Sequence, residues 1–280
     1  MQILDELDRA ATRIETPCGD GIMVWRVWNA GAGSPLVLLH GGSGSWRHWV
    51  KQIAHHAPRR CVIAPDLPGL GDSAMPPEPH DPPHSARIAA AGLRQVLGEQ
   101  RAELVGFSFG ANVAGHVAAE LGDAIRSLML VGAGSLGMPR NAVPLEKVRD
   151  KAGEARLAAH RFNLHSLMIA DPARIDDLAL AIQERNTVLA RFRSRGFANA
   201  TMLKQALART SMPLCALWGE RDQVAFGHIP ERIAAVREVR PDAMAEVVPN
   251  AGHWTMYEAP EAFGAVMDRF LRSGGQAVPA

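Results

Sequence analysis

This chain of 280 residues has only three cysteines, one tyrosine and almost no net charge. Cys18, Cys61 and Cys215 lie far apart and lack the spacing of metal ligands. Cys61 and Cys215 each sit at a short apolar run typical of a strand, so we expect both to be buried thiols. The formal net charge of +1 gives no reason to expect nucleic acid or a membrane surface as a partner.

Long apolar runs and targeting signals are absent as well. No apolar run approaches the roughly 20 residues that a bilayer-spanning helix requires. The first residues, MQILDELDRA, carry acids where a secretory signal would carry basic residues, and they include no apolar segment. Hydrophobic residues make up 47% of the chain and charged residues 21%, which is typical of a globular protein with a full core. We therefore expect a cytoplasmic protein.

Short apolar runs alternate with longer helical patterns along the chain, and this alternation indicates parallel βαβ units in an α/β protein. The pattern predicts an amphipathic helix over 258–271. The proline-rich stretch 76–84 (PPEPHDPPH) predicts an exposed loop. Strands are predicted at 22–28, 36–39, 61–64, 103–106, 127–131, 214–218 and 244–248.

About 80 residues of different character separate the predicted strands 127–131 and 214–218. Their pattern is helical, and residues 140–211 hold thirteen Lys and Arg against seven Asp and Glu, a local charge of +6 in a chain of +1. We expect residues 136–211 to form a helical lid on an α/β core made of residues 1–135 and 212–280.

A nucleophile motif stands directly after the predicted strand 103–106. Gly106-Phe107-Ser108-Phe109-Gly110 satisfies G-x-S-x-G and precedes the helical stretch ANVAGHVAAELG. In such a strand–turn–helix arrangement the glycines leave space for a tight turn. The turn holds the serine hydroxyl above the sheet, near the positive end of the helix. Ser108 is therefore the candidate nucleophile.

An acid and a histidine follow the serine in the order that this motif requires. Asp222 (in GERDQV) comes after the next-to-last predicted strand, and His253 (in PNAGHW) comes after the last one. Open α/β sheets place their sites beyond the carboxyl ends of their strands. Glu220 is a competing acid. The strand at 127–131 is followed by glycine and alanine, so an acid is missing from that alternative position.

Together these motifs resemble the α/β-hydrolase superfamily over nearly the whole chain. The resemblance implies a mostly parallel central sheet flanked by helices, with a helical lid inserted after the sixth strand. It also implies a serine hydrolase that needs no metal or cofactor, with oxyanion donors at the backbone N–H groups of Gly42 and Phe109. In this family pattern His253 is the base, and Asp222 orients it. Asp222 is favoured over Glu220 because its position next to Val224 matches the pattern. The matching motifs are HGG (40–42), DLPGLGDS (66–73), GFSFG (106–110), GERD (219–222) and GHW (252–254).

Three features are similar to meta-cleavage product hydrolases, which cleave C–C bonds in ring-opened aromatic compounds. Trp254 follows the histidine, the loop HGGSGSW includes Gly41 and Ser43, and the segment IQERN includes Arg185. The resemblance implies that these residues contact a small, anionic vinylogous diketone, with Arg185 binding its carboxylate in a bidentate way. Other arginines in the same region compete for this role: Arg191, Arg193 and Arg195.

Several alternatives stay open at this point. The same three side chains would serve a carboxylesterase, an acyl-transfer enzyme or a cofactor-free haloperoxidase. A non-catalytic relative could use the same fold as a ligand receptor. Assembly into a homo-oligomer is likewise left open.

Two polar residues near the HGG loop are expected to have structural roles. His40 is expected to be structural, and Ser45 is expected to cap the helix that begins near Trp46.

Overall fold

The computed structural model describes residues 2–193 and 195–272. Its described residues include an eight-stranded sheet in the order β1-β2-β4-β3-β5-β6-β7-β8. β1 and β2 pair in antiparallel fashion, as do β2 and β4, and the other neighbours are parallel. The predicted α/β class with a mostly parallel sheet is therefore confirmed. The strands are β1 Thr12–Cys18, β2 Gly21–Trp28, β3 Leu36–Leu39, β4 Val62–Pro65, β5 Ala102–Phe107, β6 Ile125–Val131, β7 Leu214–Gly219 and β8 Met244–Val248.

The helices cover both faces of this sheet, which explains why its inner strands are apolar throughout. Every residue of β3 and of β7 is buried. Cys61 and Cys215 are buried free thiols, as predicted. The α-helices are α1 Gln2–Ala10, α2 Val50–His56, α3 Pro82–Leu97, α4 Phe109–Leu121, α5 Gly153–Leu167, α6 Asp177–Leu189, α7 Met202–Leu207, α8 Ile229–Val239, α9 Thr255–Glu258 and α10 Pro260–Arg272.

The prediction that 76–84 is entirely loop is wrong at its end, because α3 begins at Pro82. A proline is tolerated in the first turn of a helix, where its missing N–H would have no intrahelical acceptor. Asp81 caps this helix, since its side chain accepts a hydrogen bond of 2.7 Å from the backbone N–H of His84. Pro82 and Pro83 thus form the start of a helix, although the proline-rich composition of the stretch predicts a loop.

Two further elements differ from the sequence-based expectation. Strand β1 was not predicted, because its sequence, TRIETPC, is largely polar and half of the strand faces solvent at the sheet edge. The predicted helix 258–271 is divided at Ala259, since Pro260 starts a new helix. The longer part, α10, buries Phe263 and Phe270.

The described part of the segment between β6 and β7 contains helices and no strand, as predicted: α5, α6 and α7 follow a stretch without helix at 132–152. α7 packs on the core helix α4, because Leu203 and Leu207 belong to the same hydrophobic cluster as Val113 and Val117. α5 and α6 pack against each other. The bounds of a separate lid at 136–211 stay a prediction.

None of the helices in residues 2–193 and 195–272 combines the length and apolar character that crossing a membrane would require.

Candidate active site

Ser108 lies on the sharp turn between β5 and α4. Its φ of +53° places a non-glycine residue in the left-handed region, a strained conformation that the surroundings must enforce. The backbone N–H of Ser108 donates to Val131 O at 2.8 Å, which ties the turn to β6. A Cβ at Gly110 would lie 2.4 Å from His40 O, so the helix can approach the neighbouring loop only with glycine there.

Three side chains from different strand ends form one chain of hydrogen bonds. The Nε2 atom of His253 lies 2.9 Å from Ser108 Oγ, and its Nδ1 lies 2.7 Å from Asp222 Oδ2. A carboxylate accepts hydrogen bonds, so Nδ1 carries the proton and Nε2 is the acceptor for the serine hydroxyl. Asp222 and His253 are buried, whereas Ser108 keeps partial exposure.

The geometry distinguishes between the two competing acids. Asp222 Oδ1 accepts a hydrogen bond of 2.9 Å from the backbone N–H of Val224, which orients its other oxygen toward the imidazole. Glu220 is exposed, and its carboxylate accepts from the backbone N–H of Asn250 at 2.7 Å. The acid that contacts His253 is therefore Asp222, and Glu220 stabilises the loop at Asn250.

Gly132, which directly follows β6, supports the histidine from the side. It adopts a φ of +58°, and a Cβ there would lie 2.9 Å from His253 Cε1 and 3.0 Å from its Nδ1. The missing side chain thus serves two purposes: it permits the backbone turn, and it leaves space for the imidazole.

The loop after β3 is held by His40. Its Nε2 accepts from the backbone N–H of Leu67 at 2.9 Å, so the proton lies on Nδ1, which donates to Gly41 O at 2.8 Å. Complete burial lowers the pKa of His40, which keeps the ring neutral. These contacts agree with the predicted structural role of His40.

Ser45, on the same loop, also agrees with its expected role. It caps the 3₁₀ turn Trp46–Trp49, and its hydroxyl accepts from the backbone N–H of Arg47. The same hydroxyl donates to Asn186 Oδ1 at 2.6 Å, which joins this loop to α6.

A cavity of about 120 Å³, called the inner cavity below, opens at Ser108 and His253. Four other predicted site residues line it: Gly41, Gly42, Ser43 and Phe109. Phe109 is the first residue of α4, so its backbone N–H has no intrahelical acceptor. Both predicted oxyanion donors therefore come from residues in the cavity wall.

Two predicted substrate contacts do not line the inner cavity. Arg185 is exposed on α6, while Gln183 on the same helix lines the cavity. Because a helix has 3.6 residues per turn, side chains two positions apart point in directions that differ by roughly 200°. Trp254 is fully buried, donates from Nε1 to His48 O at 2.8 Å and stacks on Tyr257 at 4.1 Å. Its role in the structure is packing.

An arginine does line the inner cavity, but it is Arg140, in the loop that follows β6. Asn112, on α4, lies in the same wall, and its buried Oδ1 has no hydrogen-bond partner among the described residues. Its amide nitrogen donates to Ser135 Oγ at 2.7 Å, which fixes the orientation of the side chain. Neither residue belongs to a recognisable motif. Only their position at the carboxyl end of the sheet indicates a site.

His48 is a second histidine in the cavity wall that sequence reasoning did not single out. Burial lowers its pKa well below the usual range, with His40 and His253 as smaller causes. The ring is therefore neutral, and it contacts Phe107 and Trp254 edge-on at centroid distances of 5.6 and 5.1 Å. It adds a polar but uncharged group to the wall.

The loop that carries His253 is tied to the segment that follows α5. The buried carboxylate of Glu258 accepts from the backbone N–H groups of Gly252, Ala170 and Asp171 at 2.7, 3.0 and 2.7 Å. On the other side of the histidine, Trp254 N–H donates to the Met168 carbonyl at 2.7 Å. The position of the imidazole therefore depends on the helical segment between β6 and β7.

One group of described side chains has the spacing of a metal site, and it lies outside the inner cavity. The ligand atoms of His55, His56 and Asp268 lie within 4.8 Å of one another, where the end of α2 meets α10. Burial, followed by the charge of His55, lowers the pKa of His56 from 6.5 to about 4, so its imidazole is neutral at physiological pH. It shares no residue with the Ser108 site.

Comparison with known proteins identifies one family and relatives whose names describe several different activities. The alpha/beta hydrolase family model matches residues 36–266. The chain is 28% identical over 263 residues to a 2-hydroxy-6-oxo-6-phenylhexa-2,4-dienoate hydrolase of Burkholderia cepacia, covering 88% of this chain and 90% of that protein. It is 29% identical over 264 residues to the dihydrolipoyllysine-residue acetyltransferase component of an acetoin cleaving system of Pseudomonas putida, covering 91% and 68%. Among solved structures, an esterase from Rhodococcus sp. ECU1013 superposes with a TM-score of 0.77 at 25% identity, covering 95% of this chain and all (100%) of that one.

Proposed function

The chain belongs to the α/β-hydrolase family, and we propose that it is a serine hydrolase in which Ser108 attacks the carbonyl carbon of a small substrate. One observation carries this proposal: the hydrogen-bond chain from Ser108 through His253 to Asp222 ends at a cavity. A serine needs such an adjacent base to become nucleophilic at neutral pH. In this arrangement each nitrogen of the imidazole has a different partner and a different task.

In the proposed reaction, His253 Nε2 takes the proton of Ser108 Oγ as this oxygen bonds to the carbonyl carbon. Asp222 stabilises the resulting imidazolium and keeps its Nδ1–H oriented. The imidazolium then gives its proton to the leaving group as the bond to that group breaks. Water repeats the sequence on the acyl-enzyme: His253 takes a proton from the water, the acid is released, and Ser108 regains its proton.

Negative charge develops on the carbonyl oxygen during each attack. We propose that the backbone N–H groups of Phe109 and Gly42 stabilise it. Phe109 N–H lies at the positive end of α4, where donors without an intrahelical acceptor and the helix dipole both favour an anion. Preorganised donors of this kind contribute about 3 kcal/mol each to such reactions.

The size of the inner cavity favours ester hydrolysis. Its volume of about 120 Å³ is below the roughly 150 Å³ of an apolar cavity that holds one benzene molecule. A small acyl group fits such a space, whereas the aromatic half of a ring-opened compound would have to lie outside the inner cavity. We therefore propose a carboxylic ester of a small acid as the substrate, held beneath a lid formed by residues 136–211.

C–C bond hydrolysis is the second candidate. It is favoured by the similarity to the Burkholderia enzyme and by Arg140, a cationic residue of the cavity wall, since a guanidinium suits the carboxylate of an anionic diketone. Arg140 would then bind the substrate carboxylate, which is the role that the resemblance implied for Arg185.

Labelling and turnover together test the proposal. A fluorophosphonate probe is expected to label Ser108, as located by peptide mass spectrometry. p-Nitrophenyl acetate and a vinylogous 1,5-diketone, assayed side by side, decide between ester and C–C hydrolysis. A labelled serine with no turnover of either substrate would favour the ligand-receptor alternative and contradict the proposed function.

Gly132→Ala is expected to lower kcat by roughly 10- to 100-fold, because the new Cβ pushes on the His253 ring and a misplacement of about 1 Å can cost that much. Gly122→Ala is the matched control. Gly122 also has a positive φ, of +53°, but a Cβ there would meet no atom within 4 Å. Both variants place an alanine at a positive φ, so we expect each to lose at least about 1 kcal/mol of unfolding free energy, and Gly132→Ala to lose more because of the contact with His253. Equal kcat values for the two variants, with melting temperatures measured in parallel, would show that Gly132 does not position the histidine.

A further inference from the structure

A second and larger cavity, called the outer cavity below, continues from the inner one. Its volume is about 1120 Å³, and it shares four wall residues with the inner cavity: Ser43, Leu167, Gln183 and Phe197. We propose that the outer cavity binds the alcohol half of an ester, a long apolar chain that ends in a negative charge. The small acyl half of the same ester occupies the inner cavity. This inference rests on the proposed function, because it assumes that Ser108 attacks the ester carbonyl.

The volumes determine how such a substrate divides between the two cavities. Ligand sites usually measure about 300 to 1,000 Å³, so the inner cavity alone is too small for most metabolites and the outer one is large enough. The wall residues common to both cavities mark where the two cavities meet, called the neck below, and Ser108 lines the inner one. A carbonyl at this neck would place one substituent in each cavity.

Apolar side chains make up much of the outer wall. Phe192 is almost fully buried, and its ring lies 5.2 Å from that of Phe109, the residue after the nucleophile. The backbone N–H groups of Arg191 and Phe192 both donate to Gly69 O at 3.0 Å, which holds this wall against the core. The apolar wall residues are Leu145, Val148, Leu167, Ala190, Phe192 and Phe197.

The charged wall residues favour an anion. Four are basic (Lys147, Arg149, Arg191 and Arg193) and two are acidic (Glu146 and Asp150), which leaves a net charge of +2. Glu146 forms an ion pair with Lys151, which offsets part of its negative charge. Arg191 is engaged by core carbonyls, because its guanidinium donates to Gly71 O and Ser73 O. Lys147, Arg149 and Arg193 are exposed to solvent, where a ligand can reach them.

The ligand chemistry follows from these walls. An alkyl chain matches the apolar surface, and a terminal carboxylate matches the basic side chains. The predicted substrate class is therefore a small-acid ester of a long alcohol that ends in a carboxylate. 8-Acetoxyoctanoate is a simple member of this class, and 8-acetoxyoctanamide is a neutral analogue of nearly the same shape.

The test compares kcat/KM for these two compounds, with p-nitrophenyl acetate as a neutral reference that carries no carboxylate for the basic wall. In the wild-type protein at low salt we expect the carboxylate to be preferred about tenfold or more, as for other charge-lined clefts. This preference should fall several-fold when salt is raised to about 0.5 M, because ions screen exposed charges.

Arg193→Glu is expected to remove the preference for the carboxylate, measured as the ratio of kcat/KM for 8-acetoxyoctanoate to kcat/KM for 8-acetoxyoctanamide in the same variant. Arg209→Glu makes the same change of charge at an exposed arginine outside both cavities, and it should keep the preference. Equal hydrolysis of acid and amide by the wild type, or equal effects of the two substitutions, would overturn the inference. Failure to hydrolyse p-nitrophenyl acetate would instead refute the proposed function.

Discussion

Ser108→Ala is expected to abolish hydrolysis, with a fall in kcat of about 10⁶ or to the limit of detection. A nucleophilic serine and its histidine act as one unit, and removing the serine alone costs about as much as removing the whole group. The neighbouring backbone can remain, because the strained turn is held by the N–H of Ser108 on Val131 O and not by its hydroxyl. Alanine also lacks the oxygen that His253 would deprotonate.

Turnover of p-nitrophenyl acetate and reaction with a fluorophosphonate are the measurements for this variant, with its melting temperature as a check on folding. Ser34→Ala is a suitable control, because Ser34 precedes β3 at the opposite end of the sheet and bonds to Arg101 O. We expect the control to keep wild-type activity. A Ser108→Ala protein with activity within tenfold of the wild type would refute the proposed mechanism.

Asp222→Asn is expected to lower kcat by about 10⁴ with little change in the backbone around it. The Val224 N–H can still donate to the amide oxygen, as it now does to Asp222 Oδ1. The amide nitrogen would then face His253 as a donor. This arrangement favours the tautomer with its proton on Nε2, which cannot accept the proton of Ser108.

Glu220→Gln supplies the matched control, since it removes the same charge two residues away. Glu220 is exposed and contacts the backbone of Asn250, so we expect its replacement to change kcat by less than about twofold, as for most surface sites. Steady-state kinetics of both variants on one substrate make the comparison. A larger loss for Glu220→Gln than for Asp222→Asn would assign the acid role to Glu220 instead.

The three central residues of the site could be predicted because each follows a strand in a short local motif. Parallel strands bring their carboxyl ends to one edge of the sheet, so serine, acid and histidine meet there although up to 145 residues separate them. In the sequence, Asp222 was favoured over Glu220 only because of its position in the motif. The hydrogen bonds of both carboxylates give the physical reason for that choice.

Other parts of the site carry no local pattern. Arg140, His48 and Asn112 are wall residues because the loop after β6, the turn after β3 and the first turns of α4 face one space. Glu258 likewise ties the histidine loop to another segment, because its carboxylate accepts from Gly252 N–H in that loop and from the N–H groups of Ala170 and Asp171, which lie 88 and 87 residues away in the sequence. Such roles depend on which segments pack together, and hydrophobic periodicity does not encode this.

The sequence by itself determined the α/β class, the positions of the inner strands along the chain and the three residues of the hydrogen-bond chain, because strand ends and turns are local properties. Which arginine reaches the cavity was decided only by the tertiary structure. The rotation of α6 turns Gln183 inward and Arg185 outward, and the loop after β6 brings Arg140 to the wall. A helix has one buried face, and only packing against the core determines which residues of that face meet the cavity.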